Sequence, residues 1–155
     1  MTESVDVAAL LARLDRLETA ELARQATWRY AEAVDTADLD ALAAAFTPDG
    51  TLTTSRGTTV GRDAIVDYYR QALAEPLRRK HFLTNQKVTT EVPGQAVVES
   101  YFLFTYAGPA TSMIGWGTYV DRIVVADGVA SIAAKTITVD VRADPSVGWA
   151  EEVHS

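Results

Sequence analysis

The spacing of apolar residues changes once along this chain, and that change dictates the class of fold. Between residues 6 and 36, Leu10, Leu11, Leu14 and Leu17 recur at three- and four-residue intervals, with Arg13, Asp15, Arg16 and Glu18 between them. That period belongs to a helix. From His81 onward the period is two. Four runs, His81–Val92, Gln95–Tyr106, Thr111–Val125 and Val129–Val141, are dense in Val, Ile, Thr, Tyr and Phe and read as strands. Pro93-Gly94, Gly108-Pro109 and Asp127-Gly128 separate them, and links this short join antiparallel neighbours. Helices followed by a long antiparallel meander make an α+β fold with the helices on one sheet face. Strands of this length curl, so the sheet wraps the helices and leaves a cavity between them.

The stretch between these two regimes is punctuated by turn and cap residues. Thr19 is expected to divide the first helix, leaving a second segment from Glu21 to Val34. Asp38 is placed to cap LDALAAAF, which stops at Pro48-Asp49-Gly50. Thr51 to Ser55 reads as a short strand, Gly57 to Gly61 as a loop, and Arg62 to Leu73 as a helix closed by Pro76. There is no repeat or linker. One domain is expected over 1–142, with 143–155 a tail that closes the pocket mouth, packs on a neighbour or stays loose.

Composition removes several classes of function. Hydrophobic residues at 48% and charged ones at 23% suit a globular chain and not a disordered one. A formal charge of −7 repels phosphate backbones, so nucleic acid is an unsuitable partner. No run nears the length of a membrane span, and the acidic first residues lack the basic start of a secretory signal, so the expected location is the cytoplasm. With no cysteine there is no thiolate chemistry, and one usable histidine makes a metal site a poor reading. Neither a metal nor any cofactor is expected.

Two histidines remain, and they differ in setting. His154 stands in a polar tail. His81 opens a strand and alternates onto one face with Leu83 and Asn85. A histidine acting as a general base needs its tautomer held, usually by a carboxylate on the other ring nitrogen. Asp35 is the best candidate, because it closes an apolar helical stretch (Ala31, Ala33, Val34) where an unpaired carboxylate is costly. Spacing alone does not join the two.

AVDTADLDALAAAFTPDG, followed some thirty residues later by HFLTN and then by the strand meander, resembles the SnoaL-like branch of the NTF2-like superfamily. Within it the chain looks like the dehydratase and dehydrochlorinase group. That resemblance implies a cone of N-terminal helices on a strongly curved, mainly antiparallel sheet. It also implies a catalytic dyad of an Asp ending the long helix and a His opening a strand, here Asp35 and His81. Tyr30 falls where the family often has a pocket-facing polar residue, although a rim hydroxyl explains it equally. Lys135 falls near an Arg that assists the leaving group, and an outward, solvated Lys135 is the other reading. Ser100, Phe102 and Phe104, with Met113 and Tyr119, are assigned to the cavity side. Trp28 and Leu52 are weaker nominees, and Asn85 either binds substrate or braces its strand.

The implied function is a cofactor-independent lyase or isomerase, of dehydratase, eliminase or cyclase type, acting on a small apolar or polyketide-like substrate. The alternative is a non-catalytic ligand-binding or accessory protein. It predicts a buried but unpaired His81, or a cavity filled by Phe102, Phe104 and Trp116. A narrower option is the small, structural subunit of a ring-hydroxylating oxygenase. Under each reading a homo-oligomer, dimer or trimer, covers the exposed sheet face. Arg78-Arg79-Lys80 reads as a solvated edge, with attraction of an anionic substrate as its functional reading.

Overall fold

The computed structural model describes residues 6–109 and 111–145. Expectations for His154 and for the tail beyond residue 145 lie outside them. Asp6 opens the first helix, α1 (Val7–Thr36), by accepting from the Ala9 N–H at 3.2 Å. The helix then runs unbroken through Thr19, contrary to the division expected there. No Gly or Pro interrupts the stretch, and Thr19 is buried along with Ala23, Ala26, Thr27, Tyr30, Ala33 and Val34. These residues recur every three or four positions and form a face of small side chains, over which the sheet can close tightly.

At the end of α1, Ala37 adopts a left-handed conformation (φ 55°). The Asp38 N–H returns to the Ala33 carbonyl at 2.9 Å and the Ala37 N–H to that of Val34 at 3.3 Å, a Schellman-type closure. Asp38 then caps α2 (Leu39–Ala45), as expected, by accepting from the Ala41 N–H at 2.9 Å. The tight connection fixes the direction of the last turn of α1, which carries Asp35.

Next come β1 (Phe46–Thr54), β2 (Gly57–Val60) and α3 (Arg62–Ala72). The expected loop at Gly57 to Gly61 is therefore mostly strand, because β2 folds back antiparallel on β1. The meander follows as β3 (Arg78–Thr89), β4 (Gln95–Ala107), β5 (Ser112–Ala126) and β6 (Val129–Ala143). The six strands form one sheet in the order β2-β1-β6-β5-β4-β3. All neighbours are antiparallel except β1 and β6. This is the expected α+β cone, with three helices against a curved and mostly antiparallel sheet.

Two glycines on β5 permit the curl. A Cβ on Gly115 would strike the Phe104 ring and the Val141 carbonyl, and one on Gly117 would strike the Thr138 carbonyl. Phe104 and Phe102 lie directly opposite these glycines, so their rings occupy the space that side chains would need. No described helix is long and apolar enough to cross a membrane.

Candidate active site

The site forms where the end of α1 meets the beginning of β3. β3 starts at Arg78, three residues before His81, so His81 sits inside the ladder opposite Phe104 and not at its end. Asp35 reaches it with both oxygens. Oδ1 lies 2.7 Å from His81 Nδ1, and Oδ2 accepts the His81 backbone N–H at 3.1 Å. Both side chains are buried, while the exposed Lys80 places its Nζ 3.7 Å from Oδ2. A carboxylate in the last turn of a helix faces the negative end of the helix dipole. Two donors from β3 and one nearby ammonium offset that cost here.

Burial pulls the His81 pKa below its ordinary 6.5, and this outweighs the opposing pull of the Asp35 hydrogen bond and charge. The resting imidazole is therefore neutral at pH 7. Its Nδ1–H is donated to Asp35, which leaves the Nε2 lone pair free of any partner in the described protein. His81 lines a cavity of about 420 Å³ together with Tyr30, Phe102, Phe104, Met113 and Tyr119. Phe102 stacks on Tyr119 with ring centroids 4.0 Å apart. The Tyr30 hydroxyl shares a hydrogen bond with that of Tyr69. Burial holds both well above the ordinary tyrosine range, so both are neutral donors.

Four nominated residues lie elsewhere, each for a physical reason. Trp28 is 58% exposed, because it falls off the α1 face marked by Ala23, Ala26, Tyr30 and Ala33. Leu52 is buried in the core opposite Lys135. Asn85 is exposed with φ 50°. An extra residue on β3 between Thr84 and Lys87 ends the alternation that had placed Asn85 with His81, as a bulge does. Gln86 turns inward in its place and donates to Thr27 Oγ1 at 2.8 Å. Ser100 is buried on the cavity side of β4, but it does not line the cavity and its Oγ has no partner among the described residues.

Lys135 fits neither of its two readings. It is buried beneath the cavity, with Nζ 2.9 and 3.0 Å from the carboxylate oxygens of Asp121. Nζ also lies 4.0 Å from the Tyr30 ring centroid and 3.6 Å from that of Tyr119. Burial pushes the lysine pKa down and the aspartate pKa up, and each group's charge opposes the other's shift. Asp121 went unnoticed in the sequence, although alternation from Tyr119 puts it on the same inward face. Of the two readings of Arg78-Arg79-Lys80, the solvated edge does not hold for Arg79. It is buried and lines the cavity.

A second, larger depression of about 610 Å³ lies between α1, α2 and the β5–β6 turn. Five of its eleven lining residues are alanines, and none of the eleven is a histidine. Among the described residues no cluster of His, Asp and Glu could hold a metal ion.

The SnoaL-like domain family matches residues 15–136. The chain belongs to that family. No curated protein matches it. Among solved structures, the SnoaL-like chain is similar to a proposed scytalone dehydratase from Novosphingobium aromaticivorans, with 20% identity and a TM-score of 0.76 over 91% of this chain and 97% of that one. It is also similar to the hexachlorocyclohexane dehydrochlorinase LinA-type3 from Novosphingobium barchaimii, with 16% identity, a TM-score of 0.75 and coverage of 92% and 97%. A protein of unknown function from Mycobacterium tuberculosis is 26% identical, with a TM-score of 0.69 over 88% of this chain and 76% of that one. These likenesses place the SnoaL-like chain in the NTF2-like fold.

Proposed function

We propose that the chain is a cofactor-independent lyase or isomerase, of dehydratase, eliminase or cyclase type, whose small substrate is enclosed in the cone cavity. The observation that carries the reading is the Asp35 carboxylate bound to both Nδ1 and the backbone N–H of His81, with Nε2 left to the cavity. In this reading His81 takes a proton from a substrate carbon, and Asp35 stabilises the imidazolium that forms. The electron pair left on carbon expels a leaving group or moves along a double bond. The Tyr30–Tyr69 pair spends one hydroxyl proton internally and keeps the other for a departing or developing oxygen. General acid–base assistance supplies about 10²–10⁴-fold, and enclosure between Phe102, Phe104 and Tyr119 adds positioning. The dehydrochlorinase and the proposed dehydratase that share the fold favour elimination.

The rival reading as a binding protein expected an unpaired His81 or a cavity filled by aromatic rings. The Asp35 contact and the open cavity favour the enzyme.

The test is the pH dependence of kcat/KM with a substrate drawn from a panel of cyclic alcohols, halides and enones. Because burial lowers the His81 pKa, more than half of the base is neutral at pH 6.5, and the acid limb should have its midpoint below that value. Asp35→Asn removes the groups that oppose the shift, so its limb should move further down while the plateau collapses. A midpoint above 6.5, or an unaltered plateau in Asp35→Asn, contradicts the mechanism. Stability follows the same sign. The unfolded chain takes up its proton first as pH falls below about 6.5, so this contribution is present above that value and declines below it.

We further propose that the chain self-associates through the outer face of the sheet, where Phe82, Tyr101, Val120 and Val124 are exposed. Light scattering after size exclusion should give the mass of a dimer or trimer; a monomer at micromolar concentration contradicts this.

A further inference from the structure

The cone cavity is cationic, in a chain whose formal charge is −7. Among the described residues Arg56, Arg79 and Arg142 line it against a single acid, Glu75, while Asp35 is engaged with His81 outside the lining. Arg79 is the unusual member. It is 8% exposed, and a guanidinium that deep is ordinarily paired with a carboxylate. Among the described residues none forms an ion pair with it. Its Nη1 donates instead to the Leu77 carbonyl at 3.1 Å and its Nη2 to the Glu75 carbonyl at 2.6 Å. Its Cζ lies 6.0 Å from the centroid of the Tyr106 ring. Two carbonyls and a ring thus hold the planar fork still without neutralising it, and two of its five N–H donors are used.

Its place relative to the proposed base is defined by the ladder. Arg79 and His81 are two residues apart on β3, on one face and about 6.5–7 Å apart along the strand. Tyr106 stands opposite Arg79, and Phe104 opposite His81. Arg142 closes the far side of the same cross-strand row, since Phe104 pairs with Gly115 and Gly115 with Arg142. The charges of both arginines are felt inside the cavity, where each opposes the upward push that burial exerts on the Tyr106 hydroxyl.

We propose that the cavity takes an organic carboxylate, with the carboxyl group on the Arg79 fork, Arg142 flanking it, and the apolar remainder against Phe102 and Phe104. If His81 acts as the base described above, the anchored carboxyl sets a carbon one or two bonds away within reach of Nε2. The C–H proton then passes to His81, the C–H electron pair forms the new double bond, and the leaving group departs with its own bonding pair. This last step rests on the acid–base reading, whereas the binding preference does not. A fixed planar fork is matched to a carboxylate in both charge and geometry.

Calorimetric titration of the full chain with sodium benzoate and with benzamide, its neutral isostere, tests this. Benzoate should bind roughly 10-fold or more tightly than benzamide. Arg79→Met should abolish the preference. Should that variant fail to fold, Arg142→Gln, on the solvent-exposed far wall, should reduce the preference at least about threefold. Equal affinity for the two probes, no benzoate binding up to about 10 mM, or a preference untouched in the folded variant overturns the proposal. Benzoate has no leaving group, so its binding does not depend on catalysis by His81. A chain that discriminates the probes yet turns over no substrate would retain the carboxylate site and lose the catalytic reading.

Discussion

His81→Ala is expected to lower kcat/KM by about 10²–10⁴-fold, the range that general acid–base groups supply. Alanine also leaves the buried Asp35 carboxylate without its ring partner, at a cost on the order of 1–3 kcal/mol, so lost turnover alone would be ambiguous. His81→Gln resolves this. A glutamine amide can still donate to Asp35 Oδ1, and the His81 backbone N–H contact to Oδ2 does not depend on the side chain. Glutamine has no lone pair able to accept a proton near neutral pH. His81→Gln should therefore melt within a few degrees of the wild type, about 1 kcal/mol or less, and still lose turnover as His81→Ala does. A folded His81→Gln retaining more than about a tenth of wild-type kcat/KM would end the proposal, since the expected loss of the proposed base is far larger than that.

The largest effect on stability is expected at the cavity floor. Lys135→Met removes an ammonium with both oxygens of Asp121 within 3.0 Å of it and leaves that carboxylate fully buried. Breaking such a pair costs about 3–5 kcal/mol, which for a chain of this length lowers Tm by roughly 6–20 °C. Two aromatic faces contribute as well, because Nζ lies against Tyr30 and Tyr119. Pairing Lys135→Met with Asp121→Leu should recover most of the loss, since the penalty comes from the stranded charge and less from the missing attraction. Thermal melts of the two single variants and the double variant decide the matter. A Lys135→Met protein melting within about 2 °C of the wild type would mean that the pair contributes little.

The sheet was legible because its signal is local. Alternation and turn residues marked four strands to within a few positions, and the same alternation put Phe102 with Phe104 on one strand and Met113 with Tyr119 on the next, while the family resemblance turned both faces to the cavity. The β1–β6 pairing was not legible, since parallel partners far apart in sequence leave no turn between them. Asp121 and Lys135 were hidden for another reason. A charged residue in a strand suggests solvent, and only the register that sets the two directly opposite makes burial affordable. Arg79 could have been found, since it lies two residues before His81 and must share its face. Asn85 could not have been rejected, because the bulge after Thr84 has no marker except a residue tolerant of positive φ. On α1, the small residues at 23, 26, 27, 33 and 34 already defined a face that excludes Trp28.

The double grip of Asp35 on His81 has a historical consequence. One oxygen holds the imidazole ring, and the other ties the backbone of β3 to the end of α1. Under the proposed mechanism the carboxylate is thus both a reagent and a strut. A descendant that abandoned chemistry would still be selected to keep Asp35, because losing it loosens the joint between helix and sheet. Its Met113, Tyr106 and Arg79 would be free to drift with the new ligand. In a lineage built this way the aspartate outlives the reaction and the histidine ring does not, so a change of occupation shows first at position 81 and in the walls around it.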